Sequence, residues 1–308
     1  MPGLAAGGKA VGDSGVVLDP TPTAVLFPGQ GSQTNAMREL VAATRPDLLD
    51  AVCELVGDDP FGRVDESTRY AQPAIFCASL ASWTRISERV RPVAMAGHSL
   101  GELSALAAAG ALDEFDALRL VVLRADLMAA SGDAGGDGTM LALIGATPAR
   151  AAALASRHGV FVANENAPDQ VVLSGERAEL EWTATAAKAD GVRALALPVA
   201  GAFHSPYMAD AVEPFRAALT EVAFRAPAVA VLSCASARPF IEPAAELADA
   251  LIRPVRWRET MLALAASGAN TYIDTGPGRV LARLAARCVV GAAAASADTL
   301  LESADVAA

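Results

Sequence analysis

Residues 92–112 read PVAMAGHSLGELSALAAAGAL. The opening PVAMAG is a short apolar run of the kind a buried strand needs, and the Leu and Ala spacing after Ser99 is helical. Between the two stands Gly97-His98-Ser99-Leu100-Gly101, a G-x-S-x-G pattern. Such a pattern makes a sharp strand-to-helix turn, with glycines where no side chain fits and the serine hydroxyl exposed at the tip. A helix starting at Ser99 brings backbone N–H groups and a positive dipole end to the same place, so the Leu100 amide can bind a developing oxyanion.

Earlier in the chain, TAVLFPG at 23–29 reads as a buried parallel strand that runs into the loop GQGSQ at 29–33. That loop can offer a second backbone amide to an oxyanion. Helical spacing follows at 37–55, 72–86 and 115–130, and the Gly-rich SGDAGGDG at 131–138 reads as a linker or hinge. Beyond it the order is βαββαβ, a ferredoxin-like unit small enough to be an insertion. A helix at 207–222, a strand at 229–234, a helix at 244–252 and a strand at 270–276 then resume the alternating α/β pattern. The expected organisation is a large α/β domain over 23–131 and 201–290, a small domain at 138–200, a flexible extension at 1–22 and a flexible tail at 291–308.

Composition narrows the function. Of 308 residues, 53% are hydrophobic and 19% charged, which excludes a disordered or collagen-like chain. The net charge of −11, from 24 basic and 35 acidic residues, argues against nucleic acid and anionic membranes as partners. No apolar stretch reaches the ~18 residues of a membrane span, no signal pattern opens the chain, and a cytoplasmic protein is expected. Cys53, Cys77, Cys234 and Cys288 lie far apart. Neither they nor the His and carboxylate spacings suggest a metal or a redox motif.

A serine hydroxyl needs a base, most often histidine. The chain has three: His98, His158 and His204. His98 adjoins the serine, but neighbouring side chains at such a turn point apart, which suits a structural or substrate-lining role. His158 closes a polar helix end, where capping explains it. His204, in GAFHSPYM at the return from the small domain, is the residue a loop can carry over Ser99. An ordinary esterase has an HGGG-type loop and a histidine near its C-terminus, and this chain has neither.

GQGSQ, GHSLGE, AFHS, LIRPVRW and DTGPGRVL occur in this order, and with them the chain resembles malonyl-CoA:acyl carrier protein transacylases and the related acyltransferase domains of polyketide synthases over residues 23–287. The resemblance implies an α/β-hydrolase-like large domain with an inserted ferredoxin-like small domain and an active site between them. It implies ping-pong transfer of malonyl from malonyl-CoA to the phosphopantetheine thiol of an acyl carrier protein, in fatty acid or polyketide synthesis. Ser99 is then the nucleophile, His204 the general base, and the amides of Gln30 and Leu100 the oxyanion hole. No cofactor is implied, and the family is usually monomeric.

The family also binds the malonyl carboxylate with an arginine in a helix after the elbow, which corresponds to Arg124 in LRLVVLRADLM. Phe203 falls where malonyl-selective members read HAFH; with His98 it is expected to line the acyl pocket and to exclude an α-methyl branch. Two positions depart from the family: Ala125 replaces a usual glycine, and Ala250 replaces a glutamine near the catalytic histidine. A contact to His204 through the backbone carbonyl survives the second change, and a side-chain contact does not.

Residues 253–287 carry six arginines against Glu259 and Asp274, a net +4 in an acidic chain. Carrier proteins are acidic, so this segment, through Arg283 and Arg287, is the expected docking face. Alternatives on the same scaffold are an acyl-thioester hydrolase, a trans-acting polyketide acyltransferase using another acyl-CoA, and a non-catalytic carrier-binding relative.

Overall fold

The computed structural model describes residues 21–306, apart from residue 135. In chain order the elements are β1 (Thr23–Phe27), α1 (Met37–Thr44), α2 (Pro46–Val56), α3 (Thr68–Ile86), β2 (Pro92–Gly97), α4 (Gly101–Ala108) and α5 (Glu114–Ala134). Then come β3 (Gly138–Ile144), α6 (Pro148–His158), β4 (Phe161–Ala167), β5 (Gln170–Glu176), α7 (Arg177–Ala189) and β6 (Arg193–Ala196). The chain continues through α8 (Ala209–Thr220), β7 (Ala230–Ser233), β8 (Arg238–Pro239), α9 (Pro243–Asp249), α10 (Trp257–Ala266), β9 (Thr271–Asp274), α11 (Val280–Cys288), β10 (Ala293–Ser296) and α12 (Ala297–Val306).

The large sheet has the order β10-β9-β1-β2-β7-β8, with β8 antiparallel and the other pairs parallel. Helices cover both faces, which is why β1 is buried throughout and shows no polar alternation. Its side chains still part with the pleat. Val25 and Phe27 face the cluster of α3, α4 and α5, while Ala24 and Leu26 pack with Trp257, Met261, Leu264 and Leu284. α3 is buried from Ala71 through Ser82 and forms the centre of the first cluster.

The small sheet, β4-β5-β3-β6, is antiparallel throughout. Leu141, Leu143, Val171 and Leu173 meet α6 and α7 on one face. Met140, Ala142 and Val172, on the other, join the core of the large domain. The two chain crossings between the domains lie side by side. A Cβ on Gly132 would fall 2.6 Å from the Ala200 carbonyl oxygen, so only glycine allows that approach.

Several expectations change. The helix expected at 37–55 is two, because Pro46 opens α2 and the residue before a proline is driven out of the helical region; Arg45 sits at φ −138. The Gly-rich hinge is shortened, since α5 continues to Ala134. α4 begins at Gly101 rather than Ser99, leaving the serine on the turn. α10 was not anticipated, although Trp257, Met261 and Leu264 recur at helical spacing. The tail expected to be flexible at 291–308 instead supplies β10, a parallel edge strand on β9, and α12, which pairs Asp298 with Arg85 at 2.7 Å. An alanine-rich edge strand is held by backbone bonds, which leave no mark in side-chain patterning. Of the extension expected at 1–22, residues 1–20 lie outside the described residues. The Pro22 carbonyl accepts from the amides of Asn270 and Thr271.

Candidate active site

The turn between β2 and α4 is as tight as its glycines imply. A Cβ on Gly97 would lie 1.9 Å from the Gly101 carbonyl carbon, and one on Gly101 would lie 1.9 Å from the Phe27 carbonyl oxygen. Ser99 sits at the tip with φ 53, and His204 has φ 57. Positive φ is strained for residues with a side chain and clusters at functional sites.

His204 Nε2 lies 2.7 Å from Ser99 Oγ. Its Nδ1 faces two carbonyl oxygens, of Ala250 at 3.0 Å and Arg253 at 3.2 Å. Carbonyls only accept, so Nδ1 carries the proton and Nε2 presents a lone pair to the serine. Among the described residues no carboxylate takes the orienting place; the chain leaving α9 does. Alanine at position 250 therefore keeps this contact, because the backbone makes it. Burial, and then the charge of Arg124, push the imidazole down to about 3.

Arg124 is itself buried, which lowers it to about 10. Its Nη2 donates to Ser99 Oγ at 3.0 Å and its Nη1 to Gln72 Oε1 at 2.6 Å. Ser99, His204 and Arg124 line one cavity of about 170 Å³ with Gln30, His98, Leu100, Gln72, Met140 and Phe203. The Phe203 ring lies against Gly201, where a Cβ would fall 2.6 Å from Cε1. His98 faces the small domain: its Nε2 is 2.9 Å from Asn166 Oδ1 on β4, its ring is tilted at 60° against Trp257 with centroids 5.2 Å apart, and burial lowers its pKa.

Other contributors were not singled out from sequence. Glu102, buried in the first turn of α4, accepts from the Cys234 amide at 2.7 Å, and burial raises it to about 7. The Ser99 amide in turn points to Cys234 Sγ at 3.4 Å. These contacts tie the elbow to the end of β7. Gln72 had a visible signal: a glutamine within the apolar run AQPAIFCASLA has to satisfy its amide inside the core. Asn166 had none, since its partner is on another domain.

Of the two expected docking arginines, Arg287 is already engaged. It donates to Asp169 and Gln170, at the turn joining β4 and β5. Arg253 pairs with Asp249 and Arg256 with Glu259. Arg283 and Arg279 are exposed and have no ion-pair partner among the described residues.

A doubly covered, mainly parallel sheet with a serine at a strand-to-helix elbow, facing an imidazole and a buried guanidinium, defines an α/β enzyme built around that serine. The acyl transferase domain family matches residues 25–303, and the chain belongs to that family; it is an acyltransferase. The polyketide biosynthesis protein ThaF of Burkholderia thailandensis is 36% identical over 289 residues, covering 89% of this chain but only 25% of that protein. The malonyl CoA-acyl carrier protein transacylase of Salmonella typhimurium is 35% identical over 305 residues, 92% of this chain and 96% of its own. The crystal structure of FabD from Acinetobacter baumannii matches with a TM-score of 0.84 at 31% identity, over 94% of this chain and 100% of that one.

Proposed function

We propose that this enzyme moves a malonyl group from malonyl-CoA to the phosphopantetheine thiol of an acyl carrier protein, for fatty acid or polyketide synthesis, in two half-reactions through Ser99. The observation that carries the reading is the convergence on Ser99 Oγ of the His204 lone pair at 2.7 Å and the Arg124 guanidinium at 3.0 Å in one cavity. Ser99 Oγ attacks the thioester carbonyl carbon as its proton passes to His204 Nε2. The carbonyl oxygen becomes an oxyanion held by the amides of Leu100 and Gln30. Collapse breaks the C–S bond, and the departing thiolate of CoA takes the proton from His204. In the second half the carrier thiol gives its proton to His204, attacks the acyl-serine, and leaves as the malonyl thioester, returning the proton to Ser99.

Arg124 gives this chemistry its acid-bearing acyl group. A planar guanidinium binds a carboxylate at two points, and a buried site strengthens the attraction. Phe203 narrows the pocket beside the acyl Cα, and one methyl is discriminated by about 1–3 kcal/mol in such a pocket. The acidic carrier docks on the exposed face of α11 through Arg283, with Arg279 one turn earlier; Arg287 serves mainly to hold the turn at Asp169.

Intact-mass measurement of the protein and a holo carrier protein after incubation with malonyl-CoA tests the reading. A malonyl adduct on the enzyme, lost in the Ser99→Ala variant, followed by a malonylated carrier is the expected result. Free malonate without an acylated carrier would instead mean a hydrolase, and no acyl-enzyme at all a binding protein.

A further inference from the structure

A chain of side-chain hydrogen bonds joins the loop after β1 to the guanidinium of Arg124. Thr68, the first residue of α3, donates its hydroxyl to Gln30 Oε1 at 2.7 Å. Gln72, one turn on, donates from Nε2 to Thr68 Oγ1 at 2.8 Å and accepts from Arg124 Nη1 on Oε1. Both Thr68 and Gln72 are buried, but only Gln72 lines the cavity.

The polarity of this chain is dictated by chemistry. A guanidinium has only donors, so Gln72 must face Arg124 with its carbonyl oxygen. Its amide nitrogen then points at Thr68 and needs an acceptor there. The threonine oxygen supplies the lone pair, and its single proton goes to Gln30 Oε1. Without that hydroxyl, the partner left to the Gln72 nitrogen among the described residues is Met128 Sδ at 3.4 Å, a weak acceptor. The Gln72 amide is then held at its oxygen alone, by the guanidinium it is meant to position, and the pair loses the fixed end that Thr68 gives it.

We infer that Thr68 is a specificity-determining positioning residue: its hydroxyl fixes the Gln72 amide and so aims Arg124 at the carboxylate of the acyl group. The inference rests on the assignment of Arg124 under Proposed function. An uncharged acyl group makes no demand on the guanidinium, so loss of the hydroxyl separates the two kinds of substrate.

The test compares Thr68→Val, which keeps the shape, with Thr68→Ser, which keeps the hydroxyl. Rates of Ser99 acylation from malonyl-CoA and from acetyl-CoA are read by quenched intact-mass measurement. In Thr68→Val, malonyl loading is expected to fall at least about tenfold while acetyl loading stays within about twofold, and Thr68→Ser restores most of the loss. If the wild-type protein takes no malonyl group, the functional reading fails and this inference with it. If the wild type loads but Thr68→Val loses nothing, loses both acyl groups equally, or is not rescued by serine, only the role of Thr68 is overturned. Should Thr68→Val not fold by circular dichroism, Thr68→Ala against Thr68→Ser makes the same comparison.

Discussion

His204 is kept neutral by its surroundings. Burial and the neighbouring guanidinium hold its pKa near 3, well below the ordinary histidine value. A lowered pKa leaves the imidazole unprotonated, and so able to accept the serine proton, at every pH above that value. The kcat/KM for malonyl loading, which reports the free enzyme, should therefore stay level from about pH 8 down to about pH 5; an unperturbed histidine would have cut it by half near its ordinary value of 6.5. A pH–rate profile that falls with a midpoint at that ordinary value would remove this account of the base. Arg124 carries the opposite dependence on substrate. Arg124→Ala should lower malonyl loading by about a hundredfold, equivalent to roughly 3 kcal/mol of charge-assisted hydrogen bonding, and leave acetyl loading undiminished. A malonyl-to-acetyl ratio that does not change in that variant rejects the carboxylate contact.

The strand-turn-helix unit was readable from sequence because everything it needs is local: an apolar run, two glycines and a helical repeat. The reason for each glycine is not local. Gly101 is pressed against the Phe27 carbonyl of β1, and Gly97 against Gly101 itself. Gly101→Ala should thus cost about 3 kcal/mol, the upper end of ordinary overpacking, because backbone rather than a flexible side chain occupies the space. Thermal or denaturant unfolding measures it, and a Tm equal to the wild type would mean that the turn can open without penalty. β10 and α12 went unread for a related reason. Their alanines say little, while the pairing of β10 on β9 and the contact of Asp298 with Arg85 depend on chain that is distant in sequence.

At the scale of the molecule, the cavity exists because the small domain is latched onto the large one beside the elbow. Val255 exchanges backbone hydrogen bonds with β4, donating to the Ala163 carbonyl and accepting from the Glu165 amide, both at 2.8 Å. His98 meets Asn166, and Arg287 meets Asp169. The last pair is half-exposed and contributes at most about 1 kcal/mol, so Arg287 is a weak latch rather than a strong one. Arg283 remains open to solvent on α11. Arg283→Glu should raise the KM for the carrier several-fold, more at low salt than at high, without altering the rate at which malonyl-CoA loads Ser99. A carrier KM unchanged at low salt would move the docking face elsewhere.

The elbow with its serine and the βαββαβ order of the small domain were legible in the amino-acid sequence, as was the nomination of His204 from three histidines, because each is written in short patterns of glycine, apolar period or scarcity. What orients that histidine, how Thr68 and Gln72 connect Gln30 to Arg124, and which arginines lack an ion-pair partner among the described residues came from the folded chain. Those are contacts between residues far apart in the chain, and hydrogen-bond geometry and mutual burial arise only when folding brings them together.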